Sequence, residues 1–345
     1  MRYRKRISLI VALLLSLSFV IALFAACNPN EDDEDDEILT SPVASLTVVS
    51  NPTKTAYEQG EHFDKTGLVI NATLEDETVK ENVKYTIQPD RPLKRTDVNV
   101  IAKYGGKQIA IPITVAFRGN NDRYSVANTE TIPNSPLAGK TYFFLGSSVT
   151  YGASSGQQSM ADFIAKRNDC TTIKQAVSGT TLADNGAANS RSYVARLTGY
   201  TQDSTKVTTL DAFICQLSTN DAAKPQNFGA VTANNIKDIS QFDQTTTFGA
   251  IEYIIALVKQ VWDCPIVFYT NSYYDNENYA QMVEALHVIE AKWGITVIDL
   301  YNDTEFNAIS ADDLELYMAD EIHPTKAGYR DWWTPKFEEA LKSLL

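Results

Sequence analysis

Histidine is the scarcest chemically useful residue in the 345-residue chain, which holds only His62, His287 and His323. Any reaction that needs an imidazole base must use one of these three. Cysteine is almost as sparse, with Cys27, Cys170, Cys215 and Cys264, and their spacing matches no metal-ligand pattern. Cys215 in FICQL and Cys264 before PIVF sit in apolar runs and read as small hydrophobes; at most one disulfide can form among Cys170, Cys215 and Cys264. Basic charge is also short. Thirty Lys and Arg face 43 Asp and Glu, a formal net charge of −13, which excludes nucleic acid as a partner.

Four of the 30 basic residues stand together at the start. MRYRKR precedes an almost unbroken apolar run over residues 7–24, followed by Ala25, Ala26 and Cys27, the layout of an export signal. The run of 18 residues nearly reaches the length of about 20 that spans a bilayer, but the small residues before the cysteine favour processing. LFAAC resembles the lipobox of bacterial lipoproteins, with Phe24 where that motif has leucine. The resemblance implies removal of residues 1–26, lipidation of Cys27, a membrane anchor made by the lipid and a cell-surface or extracellular location. An uncleaved anchor and plain secretion are the alternatives. Glu31 to Glu37 are seven consecutive carboxylates, whose repulsion keeps residues 27–42 extended as an acidic tether.

The rest divides near residue 120. Residues 43–117 alternate apolar and polar in short runs (ASLTVVS, TGLVINATL, ENVKYTIQ, VNVIAKYGGK, QIAIPITVAF), and Gly105-Gly106 marks a hairpin. This predicts a small all-β sandwich. KTAYEQGEHFDKTGLVINA and YGGKQIAIPITV resemble bacterial Ig-like domains, which implies a spacer or adhesion module. Residues 118–140, rich in Asn, Ser, Pro and Gly, read as a linker. From residue 141 to 345, apolar strand-length runs (YFFLG, DAFICQLS, PIVFYTN, ITVIDL) alternate with amphipathic helices. One helix carries Ile251, Ile254, Ile255, Val258 and Trp262 on a single face, the other Met282, Leu286, Ile289 and Trp293. Such alternation predicts an α/β domain, a three-layer α/β/α sandwich on a parallel, flavodoxin-like sheet.

Within that domain YFFL runs into Gly146-Ser147-Ser148, placing two hydroxyls at the carboxyl end of a strand, where sites in open α/β sheets collect. A serine hydroxyl needs a base, and the base needs a carboxylate to fix its tautomer. His62 lies in the β-rich part and His287 inside an amphipathic helix. His323 lies in a loop before the last helix, with Asp320 three residues earlier, one turn away. The spacing is not the G-x-S-x-G elbow of α/β-hydrolases, because Thr150 stands where the second glycine would be.

Taken together, GSSVTYG, AVSGTTLAD, STND and DEIHP resemble, in order, the four blocks of SGNH or GDSL hydrolases over residues 141–345. The resemblance implies Ser148 as nucleophile, His323 as base and Asp320 as its orienting acid. It also implies an oxyanion hole from the Ser148 and Gly179 N–H groups and the Asn220 amide, with no metal or cofactor. Ser147 replaces the family's aspartate and Ser218 a glycine; neither removes a reacting atom. The function so implied is a surface-anchored serine esterase removing small acyl groups, acetyl first, from an acylated carbohydrate or other small ester. A lipase, thioesterase or acyltransferase using the same residues is the alternative, and a non-catalytic glycan-binding or adhesion lipoprotein is the second. Asp299, at the end of ITVID, reads as structural.

Overall fold

The computed structural model describes residues 39–184, 186–187, 190–223 and 227–345. Residues 1–26, read above as an export signal, Cys27 and the carboxylate run lie outside the described residues. The chain divides into Met1–Pro42 and Val43–Leu345, and only residues 39–42 of the first unit are described. Among the described residues no helix is long and apolar enough to cross a membrane.

The second unit opens with eight strands: β1 (Val43–Ser50), β2 (Ala56–Glu58), β3 (Val69–Leu74), β4 (Val79–Lys80), β5 (Thr86–Gln88), β6 (Asn99–Tyr104), β7 (Lys107–Pro112) and β8 (Thr114–Ala116). They form sheets β1-β3-β4, β2-β8 and β5-β6-β7. Side chains alternate in and out along a strand, so β3 buries Ile70, Ala72 and Leu74, while β6 buries Val100 and Ala102. The run QIAIPITVAF, one strand by its pattern, is two. After Pro112, which has no N–H to give to a ladder, Ile113 donates to Val98 O, and the chain moves to pair β8 in parallel with β2.

The α/β part has five parallel strands: β9 (Thr141–Gly146), β10 (Thr171–Ala176), β11 (Ala212–Gln216), β12 (Ile266–Tyr269) and β13 (Thr296–Ile298). Their order is β10-β9-β11-β12-β13, the flavodoxin-like order. The helices are α1 (Ser148–Tyr151), α2 (Met160–Asn168), α3 (Tyr193–Gln202), α4 (Thr219–Ala223), α5 (Thr247–Val261), α6 (Glu277–Trp293), α7 (Ala311–Tyr317) and α8 (Thr334–Lys342). Because successive side chains of a strand point to opposite faces, Phe143 and Leu145 of β9 pack with Leu197, Ile254 and Leu286 on one side. Tyr142 and Phe144 pack with Phe163, Trp333 and Phe337 on the other. Each buried aromatic or leucine side chain contributes about 1.5–3 kcal/mol, so the central strands are held from both faces. Cys215 and Cys264 are buried free thiols in this core; Cys170 is free and half-buried.

The last helical stretch is not regular. Gly328–Trp333 form a π-helix in which the Thr334 N–H reaches back five residues to Tyr329 O. Pro335 follows immediately, has no N–H and crowds the preceding turn, and the widened turn accommodates it.

Residues 118–140 are a packed strap. Three short 3-10 turns at Arg118–Asn120, Asp122–Tyr124 and Val126–Asn128 bring the strap against the α/β domain. Leu137 is fully buried there, and Ser135 Oγ donates to Asn168 Oδ1 at 2.6 Å. Asn120 bridges two loops: its Nδ2 donates to Ser154 O at 2.7 Å, beyond Ser148, and its Oδ1 accepts from the Lys326 N–H at 2.9 Å, beyond His323. Replacing Asn120 by Ala removes both bonds and strands their partners. The expected result is a loss of about 1–3 kcal/mol of stability, read by thermal unfolding against wild type.

Candidate active site

The glycine that ends YFFLG answers to space. A Cβ at Gly146 would lie 1.6 Å from Thr150 Oγ1 and 2.8 Å from Gln216 Oε1, so only glycine lets the chain turn here. Below the turn, Gln216 Oε1 accepts from the Ser147 N–H at 2.9 Å, the Thr150 hydroxyl at 2.8 Å and, at longer range, the Ser147 hydroxyl at 3.3 Å and the Thr150 N–H at 3.4 Å. Thr150 Oγ1 is 2.6 Å from the Tyr269 hydroxyl. Ser147 and Thr150 are fully buried and Gln216 is 1% exposed, so the network works away from water, where each bond is stronger and each missing one more damaging.

Ser148 begins α1 above this network, and His323 meets it from the far end of the chain. The imidazole Nε2 lies 2.8 Å from Ser148 Oγ. On its other side Nδ1 lies 2.9 and 3.0 Å from the two oxygens of Asp320. With Nδ1–H donating to the carboxylate, Nε2 is left to accept the serine proton. Asp320 Oδ1 also accepts the N–H groups of Ile322 and His323, both at 2.8 Å, so the loop is wrapped around its own carboxylate. Burial works against the Asp320 charge, but the His323 bond and these two N–H groups outweigh it and hold the carboxyl below its ordinary value. The loop is closed by an antiparallel bridge between Met318 and Pro324, with the Ala319 N–H donating to His323 O at 2.8 Å. Tyr329, in the π-helix, donates its hydroxyl to Val149 O at 2.7 Å and ties the histidine end to α1.

Gly179 follows β10 and Asn220 follows β11, the two strands flanking β9, so both sit at strand ends beside Ser148. Asn220 Nδ2 donates to Thr180 O at 3.0 Å, joining the two loops. Gly179 has φ +76°, a conformation that suits glycine, and no atom lies within 4 Å of where a Cβ would be. Asp221 is fully buried and accepts from the Leu182 N–H at 2.8 Å, the Ala183 N–H at 3.3 Å and the Thr247 hydroxyl at 3.1 Å, locking the same loops together; burial raises its pKa. Ser148, Gly179 and Asn220 thus follow three adjacent strands, and the loop after α7 brings His323 and Asp320 to Ser148. Gln216, Asn120 and Tyr329 were missed. Gln216 left one signal, a polar side chain inside an otherwise apolar strand.

A cleft of about 660 Å³ lies at the carboxylate end of the Ser148–His323–Asp320 line. Asp320 lines it, with Tyr273, Tyr274, Leu314, Met318 and Trp332.

The other histidines are elsewhere. His287 Nδ1 lies 2.8 Å from Glu290 Oε2 and Nε2 2.8 Å from Asp299 Oδ2. Only the protonated ring donates from both nitrogens. Burial opposes that charge, but the two carboxylates win and the pKa is raised. A pKa raised on folding gives stability that is complete below the unfolded value and lost as pH rises through the folded one. His287→Asn is therefore expected to lower Tm more at about pH 5.5 than at about pH 8.5. A gap independent of pH counts against this reading.

A serine, an imidazole and a carboxylate in line at the carboxyl ends of a flavodoxin-like sheet define a serine-hydrolase type of site. The model of the GDSL-like lipase/acylhydrolase family matches residues 144–330, more than half of the sequence, and the chain belongs to that family. It is an enzyme that hydrolyses ester bonds. No curated protein matches it. Among solved structures it is similar to a protein from Lactobacillus plantarum, at 19% identity over 60% of this chain and 98% of that one, with a TM-score of 0.49. A possible lipase from Chitinophaga pinensis is 17% identical over 59% and 98%, at TM-score 0.42. The inhibitor-bound form of an M. smegmatis aryl esterase is 14% identical over 60% and 100%, at TM-score 0.39.

Replacing Gln216 by Leu removes the acceptor for the serine turn while leaving the reacting groups in place. The expected outcome is a kcat lowered about 10- to 100-fold with KM changed less than about threefold, measured on p-nitrophenyl acetate.

Proposed function

We propose that the enzyme is a serine esterase of the cell surface that removes small acyl groups, acetyl first, from an acylated polysaccharide. Ser148 Oγ attacks the ester carbonyl as its proton passes to His323 Nε2, and Asp320 holds the ring and stabilises the imidazolium. The Ser148 and Gly179 N–H groups and the Asn220 amide receive the developing oxyanion. The carbonyl re-forms as the ester C–O bond breaks. The proton on His323 goes to the departing alcohol oxygen, and the acyl group stays on Ser148 until water, activated by the same imidazole, releases it.

The observation that carries this reading is the 2.8 Å contact between His323 Nε2 and Ser148 Oγ, backed by the carboxylate of Asp320. Support for a surface polysaccharide comes from the order of the chain: an export segment, a lipobox-like cysteine, an acidic tether and a β-sandwich ahead of the hydrolase. The large cleft touches Asp320 and neither Ser148 nor His323, so the preference for a small acyl group rests on the family resemblance and is left to the ester series below.

Ser148→Ala is expected to lower kcat on p-nitrophenyl acetate by about 10⁴-fold or more, and Asn220→Ala by about 10²- to 10³-fold. Turnover that falls from acetyl to octanoyl esters supports the small-acyl reading. A rise along the series favours a lipase, and hydrolysis untouched by Ser148→Ala defeats the nucleophile assignment.

A further inference from the structure

One charged side chain beside the site has no counter-charge among the described residues. Arg196, half-buried in α3, sends its guanidinium to the ends of β9 and β10. Nη2 donates to Gly146 O at 2.8 Å and, at longer range, to Thr180 Oγ1 at 3.4 Å. Nη1 donates to Gln175 O, and Nε to Arg191 O at 3.0 Å. The acceptors are three carbonyl oxygens and a hydroxyl, none of them a carboxylate. Beneath the guanidinium lies the Tyr193 ring, its centroid 5.1 Å away. Burial pulls the pKa of Arg196 below its ordinary value, as befits a cation whose charge meets only dipoles and a ring face. Such a charge is costly to keep away from water, and an apolar side chain in its place would strip donors from both strand ends.

Those strand ends carry the groups that would meet an oxyanion. Gly146 stands two residues before Ser148, and the Gly146–Ser147 peptide is gripped on both sides. Its C=O accepts from Arg196, while its N–H, on Ser147, donates to Gln216 Oε1 at 2.9 Å. Gly146 O also accepts the Val177 N–H at 3.2 Å, which ties the end of β9 to the chain leaving β10. Thr180, beside Gly179, donates its hydroxyl to Val177 O at 2.7 Å, and its carbonyl accepts one N–H of the Asn220 amide at 3.0 Å. The second N–H of that amide is left to meet an oxyanion. We propose that Arg196 is a positioning residue for the oxyanion hole, its fork fixing Gly146 and residues 175–180 at the spacing that lets the Ser148 N–H and the Asn220 amide converge on one oxygen. The inference rests on the catalytic reading above. A guanidinium spreads its donors in a rigid plane, and here Nε, Nη1 and Nη2 each serve a different stretch of chain, which the single nitrogen of a lysine does not reproduce. Oxyanion donors act on the transition state, so strand ends that drift apart lower kcat and leave ground-state binding alone.

The test is made on the full-length protein with two variants. Arg196→Lys keeps the stem and the charge without the fork, and Arg196→Met keeps the stem alone. On p-nitrophenyl acetate, well below the unfolding temperature of each variant, both are expected to lower kcat about 10- to 100-fold with KM within about threefold of wild type. Inhibition by phenylboronic acid, which forms a tetrahedral anion on the serine, is expected to weaken by a similar factor. In an Asn220→Ala background the loss from Arg196→Lys is expected to shrink to about fivefold or less, because part of what the fork arranges is already gone. Should Arg196→Met not fold, the lysine variant carries the same comparisons. A fall in kcat with inhibition by the boronic acid unchanged, the signature of a partly unfolded population, overturns the inference. A lysine variant with wild-type kcat, or full additivity with Asn220→Ala, overturns it as well. If Ser148→Ala hydrolyses the ester as wild type does, the catalytic reading itself has failed. If hydrolysis depends on Ser148 while Arg196→Lys changes Tm alone, the positioning role alone has failed.

Discussion

The 2.8 Å contact between Ser148 and His323 joins residues 175 positions apart, and much of the α/β domain serves to keep it short. A hydrogen bond to a ring nitrogen weakens steeply with distance and misalignment, so both ends must be held by groups that do not themselves take part. At the serine end, Gln216 gathers the donors of the first turn from beneath. At the histidine end, a closed loop wraps Asp320 with its own N–H groups. Tyr329 and Asn120 then tie one end to the other, through Val149 O and through Ser154 O with the Lys326 N–H. The strap and the π-helix are thus parts of one clamp, although neither touches the reacting atoms.

The fold was legible wherever burial was two-sided. Tyr142 to Leu145 read as a continuous apolar strand because helices cover both faces of the sheet, and the faces of α5 and α6 read from their periodicity for the same reason. Legibility faded at the edges. β10, TTIKQA, borders the sheet and has only Ile173 as a strong apolar residue, so its pattern is faint. β2 and β4, three and two residues long, are too short to show any period and are held by their pairing partners.

The site was legible in proportion to how local its chemistry is. Asp320 and His323 share one turn, and although D-x-x-H alone is a weak signal, it completes the four blocks in order. Ser148 and Asn220 are ordinary turn residues taken singly, and they became legible only as members of GSSVTYG and STND in that order. The supporting residues gave little or nothing away. Asn120 sits in a stretch whose composition is that of any linker, and its meaning comes only from two partners 34 and 206 residues distant. Gln216 is one polar letter in FICQL, and only the three-dimensional register shows that it lies under the serine turn.

Gln216 also bears on the substitution at Ser147, where the family resemblance expects an aspartate. A hydroxyl cannot collect several N–H donors as a carboxylate does, since it has one oxygen and a proton of its own to place. Here Ser147 is itself a donor, and the acceptor is the amide oxygen of Gln216, which faces the Ser147 N–H and both donors of Thr150. Two backbone N–H groups on that atom identify it as the oxygen, because an NH₂ group accepts from neither. The turn is therefore supported by a neutral group in a fully buried pocket, where an ionised carboxylate would have to be desolvated and matched. With serine at position 147 the turn is thus supported by a neutral acceptor, Gln216 Oε1, in place of a carboxylate.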